Sequence, residues 1–159
     1  MSIHIIVDGY NLIRQSKSLR HLDQQSLELG RDALLESLVQ YKRLKSHKIT
    51  VVFDGNMVSQ PSNVKQSGMN IHYSVPPKNA DVVIKILLKK KLNHRNITVI
   101  SSDNEVTGFA RTCQANTMRS EEFYRKYLTF EEKFDASKKE RKMSKAELNE
   151  WLKIFGQSK

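Results

Sequence analysis

The feature that most constrains the fold of this chain is a series of short, β-branched apolar runs separated by longer amphipathic stretches. The clearest runs are Ile3–Val7, Ile49–Phe53 and Ile97–Ile100. Their apolar residues are nearly continuous and do not alternate with polar ones, which is typical of strands buried on both faces of a parallel sheet. Two weaker candidates for strands are Ile71–Val75 and Asn116–Met118.

Helical periodicity fills most of the gaps between these runs. Asn79 is a predicted N-cap, and Ser102 with Glu105 has the spacing of a capping box. Because strands and helices alternate, we expect an α/β fold in which a central parallel sheet is flanked by helices. The predicted helices cover Ser26–Ser46, Asn79–Leu92 and Ser102–Cys113, with a further helix that starts at Ser120.

Two regions lack these apolar patterns. The polar stretch Asp54–Asn70 predicts a long loop that leaves the second strand. Residues 131–145 are dense in charges of both signs and precede a last helical pattern that ends near Gly156. We therefore expect an α/β domain over residues 1–130, and a charged linker with a C-terminal helix over residues 131–159.

Composition adds a class of partner. The formal net charge is +10, from 27 Lys and Arg against 17 Asp and Glu, which points first to nucleic acid and second to an anionic membrane. A ribosomal protein and a nuclease share that charge. No run approaches the roughly 20 apolar residues of a membrane span. The single cysteine, Cys113, excludes an internal disulfide, and Met1–Asp8 does not resemble a signal peptide. We expect a cytoplasmic protein without a membrane partner.

Aspartates occupy corresponding positions in the predicted α/β units. Asp8, Asp54 and Asp103 each lie at or just past the end of a strand, and Asp81 lies in the first turn of a helix. The carboxyl ends of parallel strands share one edge, where ligands bind. Carboxylates gathered there repel one another unless a cation compensates, and oxygen ligands favour Mg²⁺ or Mn²⁺. Each aspartate taken alone is equally well explained as a turn or helix-cap residue.

Several segments resemble the NYN domain, a branch of the PIN-like nucleases, and most of all its bacterial YacP-like group. The resemblance lies in Ile6-Val-Asp8-Gly-Tyr-Asn11, Val52-Phe-Asp54-Gly, Asn79-Ala-Asp81, Thr98-Val-Ile-Ser-Ser-Asp103 and Ser120-x-x-Phe123, and covers residues 3 to 125. Gln114 departs from it, because a glycine is expected there.

This resemblance implies a PIN-like three-layer sandwich and a metal-dependent endoribonuclease acting on single-stranded RNA, with mRNA as one possible substrate. Its implied catalytic residues are Asp8, Asn11, Asp81 and Asp103, and the three aspartates among them would bind Mg²⁺ or Mn²⁺. Asp54 and Ser102 would contact and orient these residues or serve as further metal ligands. For Ser102 the helix-cap role is the one we favour, and Gly9 allows the backbone to approach a phosphate or a metal ion closely.

Basic and aromatic residues near these motifs are candidates for RNA binding. Arg14, Lys17 and Arg20 lie in the predicted loop after Asn11, and Lys85 follows Asp81 on the same helix. Tyr10 can stack on a base or lie in the core. For other lysines near helix ends, such as Lys90, we expect a favourable interaction with the helix dipole and nothing more.

Two other functions remain open at this point. The first is a noncatalytic RNA-binding or ribosome-associated module with a PIN-like fold and a vestigial site, which the positive charge favours equally. The second is a phosphotransfer domain. The first strand ends in Asp8-Gly-Tyr-Asn11 without the paired acids or the D-x-D sequence of such domains, and the chain has no Walker A sequence.

Overall fold

The structure is a computed structural model, and it describes residues 3–55, 63–91 and 94–128. Its centre is a six-stranded sheet with the order β3-β4-β2-β1-β5-β6. All neighbouring strands are parallel except β3, which is antiparallel to β4. The strands are β1 (His4–Asp8), β2 (Lys48–Phe53), β3 (Asn63–Gln66), β4 (Met69–Tyr73), β5 (Ile97–Ile100) and β6 (Asn116–Met118).

Helices cover both faces of this sheet, as the alternating apolar patterns predict. One core contains Ile5, Val7 and the apolar residues of the first three helices, and the opposite core contains Ile6, Val52 and those of the next two. The predicted three-layer α/β arrangement is confirmed. The helices are α1 (Gly9–Arg14), α2 (Lys17–Gln25), α3 (Leu27–Lys45), α4 (Ala80–Lys90), α5 (Asn104–Thr112) and α6 (Ser120–Phe123), the last continued by a π-helical turn over Tyr124–Leu128.

The position of β1 in the sheet determines where a crevice opens. From β1 the chain adds β2 and β4 on one side, then crosses to add β5 and β6 on the other. The direction of winding therefore reverses beside β1, and in open α/β sheets this reversal creates a crevice at the carboxyl ends of the strands. We call this side of the sheet the carboxyl edge, and the opposite side the amino edge.

Helix caps agree with the sequence prediction at one helix and differ at another. The side chain of Asn79 accepts a hydrogen bond from the Val82 amide at 3.0 Å, so Asn79 is the N-cap of α4 as predicted. The N-cap of α5 is Asp103, whose carboxylate accepts from the Glu105 amide at 2.9 Å. The predicted capping role of Ser102 is therefore wrong.

Two predicted loops contain regular structure. The segment after Asn11 forms α1 and α2, and β3 lies inside the stretch predicted as a loop. All four residues of β3 are exposed, so no apolar pattern signals the strand. Its turn into β4 has positive φ at Ser67 (53°) and Gly68 (79°), the two-residue geometry that matches the twist of a hairpin.

The C-terminal part of the sequence prediction lies outside the described residues. The linker and helix over residues 131–159, and the domain boundary at residue 130, therefore stay predictions. Within the described ranges, no helix is both long and apolar enough to cross a bilayer. Gln114, which stands where the resemblance leads us to expect glycine, has φ of 67°, in the left-handed region that glycine adopts most easily.

Candidate active site

Three of the predicted aspartates meet at the carboxyl edge. Asp8 is the last residue of β1, Asp103 follows β5 and caps α5, and Asp81 lies in the first turn of α4. Because parallel strands end at one edge and their crossover helices start or finish there, the fold itself brings these positions together. We call Asp8, Asp81 and Asp103 the acid cluster.

The electrostatics of the acid cluster show that its members interact. The pKa of Asp8 is raised from 3.8 to about 6, first by burial and then by the charges of Asp103 and Asp81, although a hydrogen bond from Ser101 opposes the shift. Burial also raises the pKa of Asp81, the positive charge of Lys85 lowers it, and Asp103 adds to the increase. A cation placed among these carboxylates would relieve their repulsion.

Ser101 ties the end of β5 to the end of β1. It is completely buried, and its hydroxyl donates to Oδ2 of Asp8 at 2.9 Å. The Ser101 hydroxyl oxygen also accepts a hydrogen bond from the Asp103 amide at 3.1 Å. One buried serine therefore fixes the Asp8 carboxylate relative to the backbone of Asp103.

Asn11 is fixed by two hydrogen bonds to one atom. Its Oδ1 accepts from the Ser102 amide at 2.8 Å and from the Ser120 hydroxyl at 2.7 Å. A backbone N–H can only donate, so the oxygen must face Ser102 and the amide nitrogen points elsewhere. The oxygen is thus engaged by protein donors, and the NH₂ group is what Asn11 can offer to a ligand.

Ser102 lies next to Asn11, to which its amide donates, and its supporting role in the site stays a prediction. Its hydroxyl accepts from the Ser120 amide at 3.0 Å and donates to Glu121. Glu121 also accepts from Nε of Arg119 at 2.8 Å. Hydrogen bonds from Ser102 and Arg119 lower the pKa of Glu121 to about 2. Sequence reasoning missed Ser120 and Glu121 as supports of the site, and the only signal for them was the Ser120-x-x-Phe123 motif.

Asp54, the fourth predicted aspartate, follows β2 and has a local partner. The Ser74 hydroxyl donates to Oδ1 of Asp54 at 3.4 Å and accepts from the Gly55 amide at 2.8 Å. Ser74 is buried, so this pair connects the end of β2 with the residue after β4. The contact is consistent with a supporting position for Asp54.

Arg14 and Lys85 are brought to the acid cluster. The positive charge of Arg14 lowers the pKa of Asp8. Nζ of Lys85 lies 3.6 Å from Oδ2 of Asp81 and 3.2 Å from Oε1 of Glu105, so Lys85 partly compensates the acids. Lys17 and Arg20 are exposed on α2.

Tyr10 lies in the core and is not positioned to stack on a base. Its side chain is only 4% exposed, and its ring centroid lies 5.0 Å from that of Phe53. Its hydroxyl accepts from Nη1 of Arg31 at 2.9 Å. The predicted RNA contact of Tyr10 is therefore replaced by a packing role, because α1 turns this side chain inward.

Gly9 allows a close approach, but to a different group than expected. A Cβ atom at this position would overlap the ring of Phe53. The absence of a side chain at Gly9 therefore lets α1 pack against the end of β2. The structure gives this glycine a packing role directly beneath the acid cluster.

The oxygen atoms of the acid cluster indicate whether it could hold a metal ion. Within residues 3–55, 63–91 and 94–128, no group of three or more His, Cys, Asp or Glu side chains is arranged to hold an ion as it stands. Oδ1 of Asp81 is nevertheless buried without a hydrogen-bond partner, and such an atom is costly unless something binds it. The oxygen donors and their mutual repulsion fit a hard divalent cation by chemistry, provided that the side chains adjust to it.

Comparisons with known proteins show which domain and which proteins this chain resembles. The model of the YacP-like NYN domain matches residues 5–154, a longer span than the motifs alone cover. The YacP protein of Bacillus subtilis (strain 168) is 28% identical over 101 residues, which is 64% of this chain and 44% of that protein. The chain thus matches less than half the length of this relative.

Two crystal structures of Rae1 (YacP) from Bacillus subtilis share the fold. A variant with one tryptophan replaced by leucine has a TM-score of 0.68 at 24% identity, covering 84% of this chain and 80% of that one. The other structure has a TM-score of 0.68 at 23% identity, covering 99% of this chain and 90% of that one. These similarities confirm the predicted PIN-like α/β fold.

Proposed function

Since this chain belongs to the YacP-like NYN domain family, we propose that it is a metal-dependent endoribonuclease that cleaves single-stranded RNA in the cytoplasm. The observation that carries the proposal is the acid cluster, whose three carboxylates meet at one sheet edge, where the charge of Asp103 helps to raise the pKa of Asp8 and of Asp81. They lie in a protein with a net charge of +10. A basic surface attracts the phosphate backbone, and an acidic pocket within it is what a metal-assisted phosphodiester cleavage needs.

Asp8, Asp81 and Asp103 would hold the ion, with Mg²⁺ or Mn²⁺ favoured by their oxygen donors. When bound, such an ion polarises the phosphodiester and activates a water molecule. Lys85 lies close to Asp81 and acts as the local counter-charge there.

The other residues of the site bind and orient RNA. Asn11, with its oxygen engaged by Ser102 and Ser120, presents its NH₂ group as a donor to a phosphate oxygen. Ser101 holds the Asp8 carboxylate in place. Arg14 lies close enough to affect Asp8 and can neutralise a phosphate group there, while Lys17 and Arg20 extend the basic surface along α2.

A noncatalytic RNA-binding or ribosome-associated module is the second candidate. The observation that favours it is the lack, among the described residues, of a ready-made group of three metal ligands. In such a module the acids would weaken RNA binding by repulsion unless a cation compensated them.

The experiment is a cleavage assay on an end-labelled single-stranded RNA, with Mg²⁺, Mn²⁺ or a chelator. The endoribonuclease should need the ion, and Asp8→Asn should lose at least about 100-fold in rate, as expected when a group that supports a bound metal is removed. Glu36→Gln, which removes an exposed carboxylate from α3, is the matched control and should cleave like the wild type.

Two results would count against the endoribonuclease. If Asp8→Asn cleaved as fast as the wild type, the cleavage would come from a contaminating nuclease. If the wild type bound RNA more tightly in chelator and cleaved nothing with either ion, the noncatalytic module would be the better description.

A further inference from the structure

A second charged surface lies at the amino edge of the sheet, on the face that α4 covers only in part. In the register of the sheet, His4 lies beside Lys48. Asn70 lies beside Thr50 on β2 and opposite Lys65 on β3. These side chains share the face of Ile6 and Val52, because side chains alternate along a strand. We call this surface the cationic face, and its members are His4, Lys48, Lys65, Lys90 and Lys91. His72, which pairs with Val52 in the row of Asp8, lies at its border toward the carboxyl edge.

Electrostatics place the lysines of α4 and of the following residue next to the strands. The pKa of His4 is lowered to about 4 by burial, by Lys91 and by Lys48. The pKa of His72 is lowered by burial, by Lys91 and by Lys90. Lys91 therefore lies near both histidines, and every charge that shifts the pKa of either histidine is a lysine.

The helix dipole does not account for this concentration of charge. It explains why lysines are favourable in the last turn of α4, but Lys48 and Lys65 belong to strands. Lys89, on the same helix, lies over the ring of Phe109 at 5.9 Å and thus faces α5. Within the described ranges no ion pair involves Lys48, Lys65, Lys90 or Lys91, so their charges are available to a ligand.

We propose that the cationic face binds phosphate groups of an RNA, away from the acid cluster. The proposal rests on the proposed function, which makes RNA the polyanion at hand. Its polar groups suit a phosphate backbone, since half-buried Asn70 contributes an amide opposite Lys65. The residues of this face are polar, so it lacks the apolar side chains that add to the binding of a membrane surface by insertion.

The distance between the two surfaces fits one extended ligand. His4 and Asp8 are the first and last residues of β1, so they lie roughly 13 Å apart at 3.3 Å per residue. An RNA whose scissile phosphate lies at the acid cluster would therefore reach the cationic face with phosphates that are not cleaved. The contacts there would raise affinity and leave the chemical step unchanged.

The test compares two pairs of substitutions in the full chain. Lys48→Gln with Lys91→Gln removes two charges from the cationic face, and Arg43→Gln with Arg111→Gln removes two exposed charges elsewhere. Binding of a fluorescein-labelled single-stranded RNA is measured by anisotropy in chelator at several salt concentrations. Thermal unfolding by circular dichroism verifies that each variant is folded.

The first pair should weaken binding about 10-fold and reduce the slope of log K against log salt by about 1.4, or 0.7 for each lost phosphate contact. The second pair should change affinity less than about 3-fold, with the wild-type slope. The proposal is overturned if the two pairs behave alike. It is also overturned if the first pair binds RNA normally but loses binding to phosphatidylserine vesicles.

This experiment is independent of cleavage. A protein that binds RNA through Lys48 and Lys91 but cuts nothing with either Mg²⁺ or Mn²⁺ would refute the endoribonuclease and leave the cationic face in place. If the wild type cuts RNA while the Lys48→Gln and Lys91→Gln variant binds RNA normally, the endoribonuclease is supported and the cationic face is refuted.

Discussion

The two edges of the sheet differ in charge and in how their charged groups are held. At the carboxyl edge, Asp8 is fixed by a buried serine, and the neighbouring Asn11 is held by two protein donors. At the amino edge, Lys48, Lys65 and Lys90 are exposed. Groups that position a reacting bond must be held in one geometry, whereas charges that attract a flexible polyanion can remain mobile.

A single helix contributes to both edges. α4 carries Asp81 in its first turn and Lys89 and Lys90 in its last. Negative groups are favourable at a helix N-terminus and positive groups at its C-terminus, so the dipole of α4 stabilises each set of charges where it lies. The crossover helix of a parallel α/β unit thus favours acids at one edge and bases at the other.

The largest effect that could break this comparison concerns Asp103. Its carboxylate caps α5 and also belongs to the acid cluster. Asparagine caps a helix as well as aspartate does, so the free energy of unfolding of Asp103→Asn should lie within about 0.5 kcal/mol of the wild-type value. The variant should nevertheless cleave RNA about 100-fold more slowly. Urea unfolding and the cleavage assay measure the two quantities. Full activity in this variant would reduce Asp103 to a helix cap.

A smaller effect is expected in the pH dependence of stability, because the pKa values of the residues at the two ends of β1 are shifted in opposite directions. The pKa of Asp8 is raised in the folded protein, so the folded state holds its proton more tightly and stability falls as pH rises from about 4 to 6. The pKa of His4 is lowered to about 4, so the unfolded state binds the proton more tightly and stability rises from pH 4 to 6.5.

Urea unfolding in chelator between pH 4 and 7 separates the two contributions. Asp8→Asn should be more stable than the wild type by about 3 kcal/mol at pH 7, because the pKa is raised from 3.8 to about 6 and each unit corresponds to about 1.4 kcal/mol. This difference should vanish near pH 4. In the wild type the free energy of unfolding should rise by about 1 kcal/mol between pH 4 and 6.5 because of His4, and His4→Gln should remove this rise. The contribution is smaller than that of Asp8 since the ring is half-buried and partly screened. If both variants kept the wild-type pH dependence, neither group would be perturbed by the fold.

Effects on stability alone, with no pH dependence, are expected at two glycines. Gly9 lies against Phe53 beneath the acid cluster, whereas a Cβ atom at Gly108 in α5 would contact nothing within 4 Å. Gly9→Ala should therefore lower the free energy of unfolding by about 1 to 3 kcal/mol through overpacking. Gly108→Ala should raise it by about 0.5 to 1 kcal/mol, because alanine is the better helix former. Equal effects would show that the carboxyl edge is not tightly packed.

Much of the fold and the acid cluster could be predicted because the signals are local. Apolar runs that end in aspartate mark both a buried strand and the position of a carboxylate at its end. The missed elements lack such signals, since β3 is wholly exposed and α2 buries only Leu19. The burial of Tyr10 depends on α1, which the sequence pattern did not reveal.

Other features depend on contacts between distant residues. Ser102 satisfies the spacing of a capping box, yet Asp103 takes the cap and Ser102 instead contacts Ser120 and Glu121. The cationic face is visible only once the register places His4 beside Lys48, because each lysine alone has an adequate explanation in the helix dipole or in solvation. For Asp54 the structure adds a partner, Ser74, that no spacing suggested.

The bond between Ser120 and Asn11 spans 109 residues of sequence, and this separation has a consequence for synthesis of the chain. A nascent chain that has not yet reached Ser120 lacks the hydroxyl that holds the Asn11 oxygen, and one that ends before Ser101 also lacks the group that fixes Asp8. Contacts this far apart form late and slowly during folding. A chain that stops before these residues therefore carries the first aspartate of the acid cluster without the supports that position it, so the completed site requires synthesis to continue at least through Ser120.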